Sequence, residues 1–420
     1  MPTVPVLLSD ARILAAYLIF AGSYVVFALG KFPWMKIDRP GAAIIGAVLM
    51  VAFRIVGAPQ ALASIDFATI VLLFSMMLIV GNLRLAGFFD WVAEWIIERL
   101  HPNHLLPTVI FTTGLLSAFL VNDIVCLVMT PFVLHLTRRL GVPRLPYVLA
   151  VATASNIGST ATITGNPQNM LVGIWSGASF RGFLLHLLPV GLGGLAITYG
   201  YLRWAYRADL AEPFRERLET VPVALDRPLV VKGLVLFAGA VVAWLAGGPL
   251  PLVAIAAGAL MVAVARRDPA YAIDRVEWSL LLFFASLFVV MRGLEQTGAV
   301  TWIDRHALAL VQDGSRWSAA AVVSGVMAVL SNLISNVPAV MLWRNTVPQL
   351  PDPHLVWRVV AMSSTFAGNL LLIGSMANLI VAERAETRGV RIGFGEYARV
   401  GVPVTLLTLA WGVVVLVLTP

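Results

Sequence analysis

The sequence predicts an all-α polytopic membrane protein made of two inverted repeats, each with five crossings, one re-entrant hairpin and one broken helix. Three observations carry this. The 420 residues are 59% hydrophobic and only 12% charged, with a mean hydropathy of +0.88, a composition of membrane-spanning rather than soluble chains. Apolar runs long enough to cross a bilayer recur from one end to the other. Two of those runs are interrupted by glycine, hydroxyl and amide residues, in the same order in each half of the chain.

Residues 1–207 form the N-terminal repeat, with spans at 10–29, 41–57, 66–87 and 180–204. Met1 to Pro5 lacks a basic segment ahead of the first apolar run, so that run is expected to stay as a spanning helix and not a cleaved signal. The stretch 105–140 reads as a hairpin whose two arms flank the polar tip Asn122-Asp123. The stretch 146–177 reads as a helix broken over 156–169. Its ending, Gly165-Asn166-Pro167-Gln168-Asn169, starts a new helix, with Asn166 as cap and Pro167 at the first helical position. Residues 208–228 are a charged linker punctuated by Pro213 and Pro222. The C-terminal repeat, 229–420, has spans at 229–247, 250–266, 276–293 and 397–418, a hairpin at 317–349 with tip Ser335-Asn336, and a helix at 357–382 broken over 366–378.

The halves correspond residue by residue. Leu116-Ser117 with Asn122 five positions on answers Leu330-Ser331 with Asn336 five on. Gly165-Asn166-Pro167-Gln168-Asn169 answers Gly374-Ser375-Met376-Ala377-Asn378. An odd number of crossings per half places the copies in opposite orientations. With the hairpins re-entrant and both termini external, 21 of the 29 basic residues fall in cytoplasmic loops, Arg39, Arg84, Arg275, Arg384 and Arg388 among them. The same loops account for the net charge of +7 without a nucleic-acid partner. A multi-pass protein of a bacterial-type cytoplasmic membrane is expected.

Irregular backbone survives inside a bilayer only where it lines a cavity or is buried in protein. The two tips and two breaks are therefore expected to meet and form a site at the repeat interface. Asn122, Thr164, Asn166, Asn169, Ser335, Asn336, Ser375 and Asn378 are the candidate substrate ligands, with two half-helix N-termini favouring an anion. Asp123 is the one carboxylate at an intramembrane tip, and such a group is functional by default. It is a candidate sodium ligand or proton carrier, joined by Asn122, Asn156, Gly158, Asn336 and Asn369, so that sodium at the two tips is one reading. No cofactor is expected beyond the coupling ion. The single cysteine, Cys126, excludes an internal disulfide and reads as small packing ahead of a metalloid ligand. Trp34, Trp91, Trp95, Trp278, Trp302 and Trp343 read as interfacial anchors. Arg292 and Glu295 read as a pair, and Arg54 as a snorkelling side chain. No nucleophile–base, metalloprotease or phosphate-loop pattern is present, which argues against an enzyme.

On Asn122-Asp123 with Thr130-Pro131, Asn156-Ile157-Gly158 with the first break, Ser335-Asn336-Val337-Pro338, and Gly368-Asn369 with the second break, the chain resembles the ion transporter superfamily. That group includes arsenical-pump membrane proteins, sodium–proton antiporters, and sodium-coupled dicarboxylate, citrate and sulfate carriers. The superfamily's Ser-Asn-Thr tip maps onto Val121-Asn122-Asp123 and Ser335-Asn336-Val337, where only the asparagines and one serine match. The resemblance implies an elevator mechanism and a homodimer held by 10–57 and 229–266. The function expected is secondary active transport of a small inorganic or carboxylate anion coupled to sodium or protons. The alternatives are proton-driven arsenite or metalloid efflux and, behind it, sodium–proton antiport.

Overall fold

The computed structural model describes residues 9–29, 37–99, 104–211, 224–301, 311 and 314–419, and every regular element among them is helical. Lys31, Trp34, Lys36, Pro213, Pro222 and Trp302 lie outside the described residues, as does most of the linker. Among the described residues, seven helices are long and apolar enough to cross a membrane.

The N-terminal half runs α1 (Asp10–Leu29), α2 (Arg39–Ala52), α3 (Ala58–Ser64), α4 (Phe67–Leu85), α5 (Phe88–Arg99), α6 (Leu105–Leu120), α7 (Asn122–Leu140), α8 (Leu145–Ser159), α9 (Pro167–Ser176) and α10 (Phe180–Ala205). The C-terminal half runs α11 (Arg227–Leu245), α12 (Leu250–Ala265), α13 (Pro269–Ile273), α14 (Trp278–Gln296), α15 (Arg316–Ile334), α16 (Asn336–Leu342), α17 (Pro353–Ala367), α18 (Met376–Glu386) and α19 (Phe394–Leu418). Many helix starts carry their own signals. Asp38, Asp66, Ser179, Asp226, Ser315 and Asp352 each accept a backbone N–H of the first turn, and Pro40, Pro146, Pro167, Pro228 and Pro353 sit at an opening position.

Packing is reciprocal between the halves. α2 packs on α14 as α4 packs on α12, and α6 on α8 as α15 on α17. Each hairpin's second arm also lies against the post-break helix of the other half, α7 on α18 and α16 on α9. α8 and α17 are buried on nearly every side, so their polar residues must find partners within the protein.

Four details depart from the sequence reading. The arms of the first hairpin have 16 and 19 residues and those of the second 19 and 7, so two of the four have the length of a full crossing, more than a re-entrant arm requires. Asn336–Leu342 ends early because Trp343 to Leu350 fold into turns and a 3-10 segment. α2 ends at Ala52, which leaves Arg54 exposed in a turn with φ of 54° and outside any span. Trp343, expected at the interface, is buried, whereas Trp91, Trp95 and Trp278 are exposed.

Candidate functional site

Both helix breaks are present and narrower than the sequence suggests. The first covers Thr160 to Asn166 and the second Gly368 to Ser375, each with one 3-10 turn, Ile163–Gly165 and Leu372–Gly374. Asn156 to Ser159 look like unwound chain in the sequence but continue α8, because a helix enclosed by protein can turn amides and hydroxyls toward neighbouring helices.

The breaks are held shut in the same way. Asn169 Nδ2 donates to the carbonyls of Ser159 (3.1 Å) and Thr162 (2.9 Å). Asn378 Nδ2 donates to those of Gly368 (2.7 Å) and Leu371 (3.4 Å), the corresponding positions of the second half. The caps differ. Asn166 Oδ1 accepts the Asn169 N–H at 2.8 Å, whereas Ser375 makes no cap bond and donates its hydroxyl to Asn156 Oδ1 at 3.1 Å. Thr162 donates its hydroxyl to the Ala118 carbonyl, which ties the first break to α6.

Asn156 on α8 corresponds to Thr365 on α17, and each reaches into the other half. Asn156 Nδ2 donates to Asn369 Oδ1 (2.8 Å) and Asn378 Oδ1 (3.1 Å), while its Oδ1 accepts from Asn122 Nδ2 (3.0 Å) and Ser375. Thr365 Oγ1 accepts from Asn166 Nδ2 at 3.2 Å. The hairpin tips turn on Val121 (φ 63°, ψ 114°) and Ser335 (φ 73°, ψ 158°), one residue before each asparagine. Such angles are costly for any residue with a side chain and persist where the surroundings impose them.

Tips and post-break helix starts enclose one small cavity of about 40 Å³. Its polar wall is Asn122, Asp123, Gln168, Ser335, Asn336, Ser375 and Arg39, and Leu280, Phe283 and Phe284 of α14 form the apolar side. The helices α7, α9 and α18 begin there. Of the residues the sequence singled out, Asn122, Asp123, Ser335, Asn336 and Ser375 are brought together at this cavity. Asn156, Asn166, Asn169, Asn369 and Asn378 lie behind it as the bonded frame. Thr164 is buried against Thr162 (Oγ1 to Oγ1, 3.3 Å). Gly158 sits where α8 crosses α6 so closely that a Cβ would strike the Gly114 backbone. Cys126 is buried and donates to Ser155 Oγ at 2.9 Å.

Arg39 corrects the charge count. Placed by the sequence in a cytoplasmic loop, it is the first residue of α2, only 6% exposed, and part of the cavity wall. The signal that could have found it is Asp38-Arg39-Pro40, an N-cap and an opening proline that put the arginine inside a helix start.

Asp123 also lines a neighbouring cavity of about 220 Å³ with Glu277, Glu383 and Arg384. Beyond Leu127 lies a wider one of about 650 Å³ bearing Arg84, His135, Arg275 and Arg388. A separate cavity of about 260 Å³, with Arg292, Glu295 and Arg344, contains Trp175. There Trp175 Nε1 donates to Asp66 Oδ2 at 2.8 Å, the Arg344 guanidinium lies 4.9 Å from the indole ring, and Arg292 pairs with Glu295 at 2.8 Å.

Residues 24–362 match the citrate transporter family. The chain is 31% identical to the silicon efflux transporter of Oryza sativa subsp. japonica, over 97% of this chain and 98% of that protein. It is 31% identical to an uncharacterized transporter of Mycobacterium tuberculosis over 96% and 97%, and 24% identical to the putative transporter arsB of Dictyostelium discoideum over 91% and 88%. Among solved structures, the YdaH transporter of Alcanivorax borkumensis shares the fold, with a TM-score of 0.60 over 97% of both chains at 15% identity.

Proposed function

Because the chain belongs to the citrate transporter family and is therefore a multi-pass membrane transporter and not an enzyme, we propose that it carries a small inorganic oxyacid or its anion by ion-coupled alternating access. The observation that carries this reading is the cavity at which both hairpin tips and both post-break helix starts meet. The cavity is small, about 40 Å³, and shares Asp123, Leu280, Phe283 and Met376 with the neighbouring one of about 220 Å³, a space suited to a small solute. The starts of α9 and α18 direct positive dipole ends at it, and Asp123 supplies the ionisable group to which a proton or sodium ion binds. The names of two relatives, a silicon efflux transporter and a putative arsB transporter, favour a hydroxylated metalloid acid within this class.

In this reading the reciprocal packing reflects two inverted repeats, 1–207 and 229–420. The hairpins and broken helices move as an elevator against α1, α2, α11 and α12, which also form a homodimer interface in a bacterial-type cytoplasmic membrane. The wide cavity with Arg84, Arg275 and Arg388 then faces the cytoplasm, and the cavity around Trp175 faces outward. Flux into proteoliposomes tests the proposal, using arsenite, silicate, phosphate, sulfate and citrate with imposed sodium or proton gradients. Gradient-driven movement of at least one small oxyacid is expected; movement of none of them, or currents that ignore both gradients, would overturn it.

A further inference from the structure

The cavity specifies its ligand through atoms that the protein leaves unmatched. Arg39 is buried, and its Nη2 donates to the Ile373 carbonyl of the second break at 3.3 Å, but its Nε has no acceptor. No carboxylate among the described residues forms an ion pair with it. The Asp123 carboxylate on the same wall acts on Arg39 electrostatically but takes up none of its N–H groups, and a guanidinium donor enclosed in protein is costly while it has no acceptor. Two acceptors are also unmatched, Asn122 Oδ1 and Asn336 Oδ1.

The orientation of Asn122 follows from the frame behind it. Asn369 and Asn378 spend their NH2 groups on the carbonyls of Thr153 and Gly368 and so present Oδ1 to Asn156. Asn156 must then turn its NH2 to them and its Oδ1 to Asn122 and Ser375. Asn122, a residue of the cavity wall, is left with its NH2 used and its buried Oδ1 without a partner. The ligand therefore has to accept from Arg39 and donate to Asn122 and Asn336, with the Asp123 carboxylate opposing a second negative charge.

We infer that Arg39 is the residue that selects the transported species, and that this species is an oxyacid with one deprotonated oxygen held by Arg39 and hydroxyl groups held by Asn122 and Asn336. The inference rests on the proposed transport of small oxyacids and deepens it. Sulfate and carboxylates that lack a hydroxyl group, which are acceptors only, leave both asparagine oxygens unmatched and are excluded on that ground. α2, outside the hairpins and broken helices, thus contributes the single fixed cation of the site.

Inorganic phosphate and sulfate separate these possibilities, since they have the same shape and differ in carrying hydroxyls. Calorimetric titration of the purified protein with each, in sodium and in choline buffers, is expected to show phosphate bound more tightly than sulfate by roughly a hundredfold. Arg39→Gln should weaken phosphate by roughly a hundredfold, and Arg39→Lys, a point charge in place of a fork, by less. Thermal unfolding of each variant identifies any that fail to fold, and Arg39→Lys keeps the test open if Arg39→Gln does. Equal binding of sulfate and phosphate, wild-type phosphate binding by Arg39→Gln, or sodium binding with no anion binding would each overturn the assignment. Failure of the flux experiment alongside selective phosphate binding would instead count against transport and not against Arg39.

Discussion

Replacing Asn156 tests the hydrogen-bond frame at its hub. The side chain donates to Asn369 and Asn378 and accepts from Asn122 and Ser375, over distances of 2.8 to 3.1 Å. All five residues are buried. Asn156→Ala leaves two acceptors and two donors without partners. Within membranes a side-chain hydrogen bond averages about 0.6 kcal/mol, and in soluble proteins about 1 kcal/mol. Four such bonds give a destabilisation of roughly 2 to 4 kcal/mol, at the lower end if a water enters the space left. Asn156→Asp is the sharper variant. It keeps the acceptor for Asn122 and Ser375 but sets a carboxylate oxygen against the Oδ1 atoms of Asn369 and Asn378, in a site where a buried charge is costly. The expected order of stability, measured by reversible unfolding in mixed micelles, is wild type, then Asn156→Ala, then Asn156→Asp. An Asn156→Asp protein at least as stable as Asn156→Ala would refute the donor and acceptor assignment on which the free Asn122 oxygen depends.

Three further outcomes are expected. Asp123→Asn should abolish gradient-driven flux while leaving thermal unfolding unchanged, and flux that still follows the ion gradient in proteoliposomes would remove Asp123 as the coupling group. Gly165→Ala should prevent accumulation of folded protein, because its Cβ falls inside contact distance of the Ser159 backbone. Gly374→Ala should be milder, since its Cβ meets the Asn332 side-chain oxygen at 2.6 Å and the Gly368 carbonyl at 3.0 Å, where Gly165→Ala drives a Cβ onto the Ser159 backbone itself; size-exclusion yield of the two variants compares them. Ser335→Gly should stabilise by about 1 kcal/mol, since φ 73° with ψ 158° is glycine territory, and a midpoint at or below wild type would show that the serine hydroxyl outweighs the strain.

Much of this arrangement was legible in the sequence because broken membrane helices need unusual residues. Asn166 followed by Pro167 is a cap and an opening proline, which together signal a helix start, and the glycines, hydroxyls and amides around it have no place in a lipid-facing span. The duplicated order of Ser117 and Asn122 with Ser331 and Asn336 pointed to both tips, and Asn122, Asp123, Asn336 and Ser375 do reach one cavity. What escaped was set by neighbours that the sequence does not name. Asn169 and Asn378 sit in the first turn of helices facing the site, yet their amides close the breaks behind it. Gly158 reads as unwound chain, but its role is a close crossing with Gly114. Arg39 was hidden by the rule that assigns charge to loops, since charge counting cannot distinguish an arginine outside a helix from one that begins it.

Access of reagent to the cavity tests the central claim most directly. Ser335 is half-buried at the tip, so Ser335→Cys in a protein whose Cys126 is replaced by alanine offers one thiol in the cavity wall. Alkylation of that thiol from the cytoplasmic side, slowed by whichever oxyacid the proteoliposomes transport and unaffected by one they do not, is the expected result. Alkylation at the same rate with and without a transported oxyacid would contradict a site between the tips and the breaks.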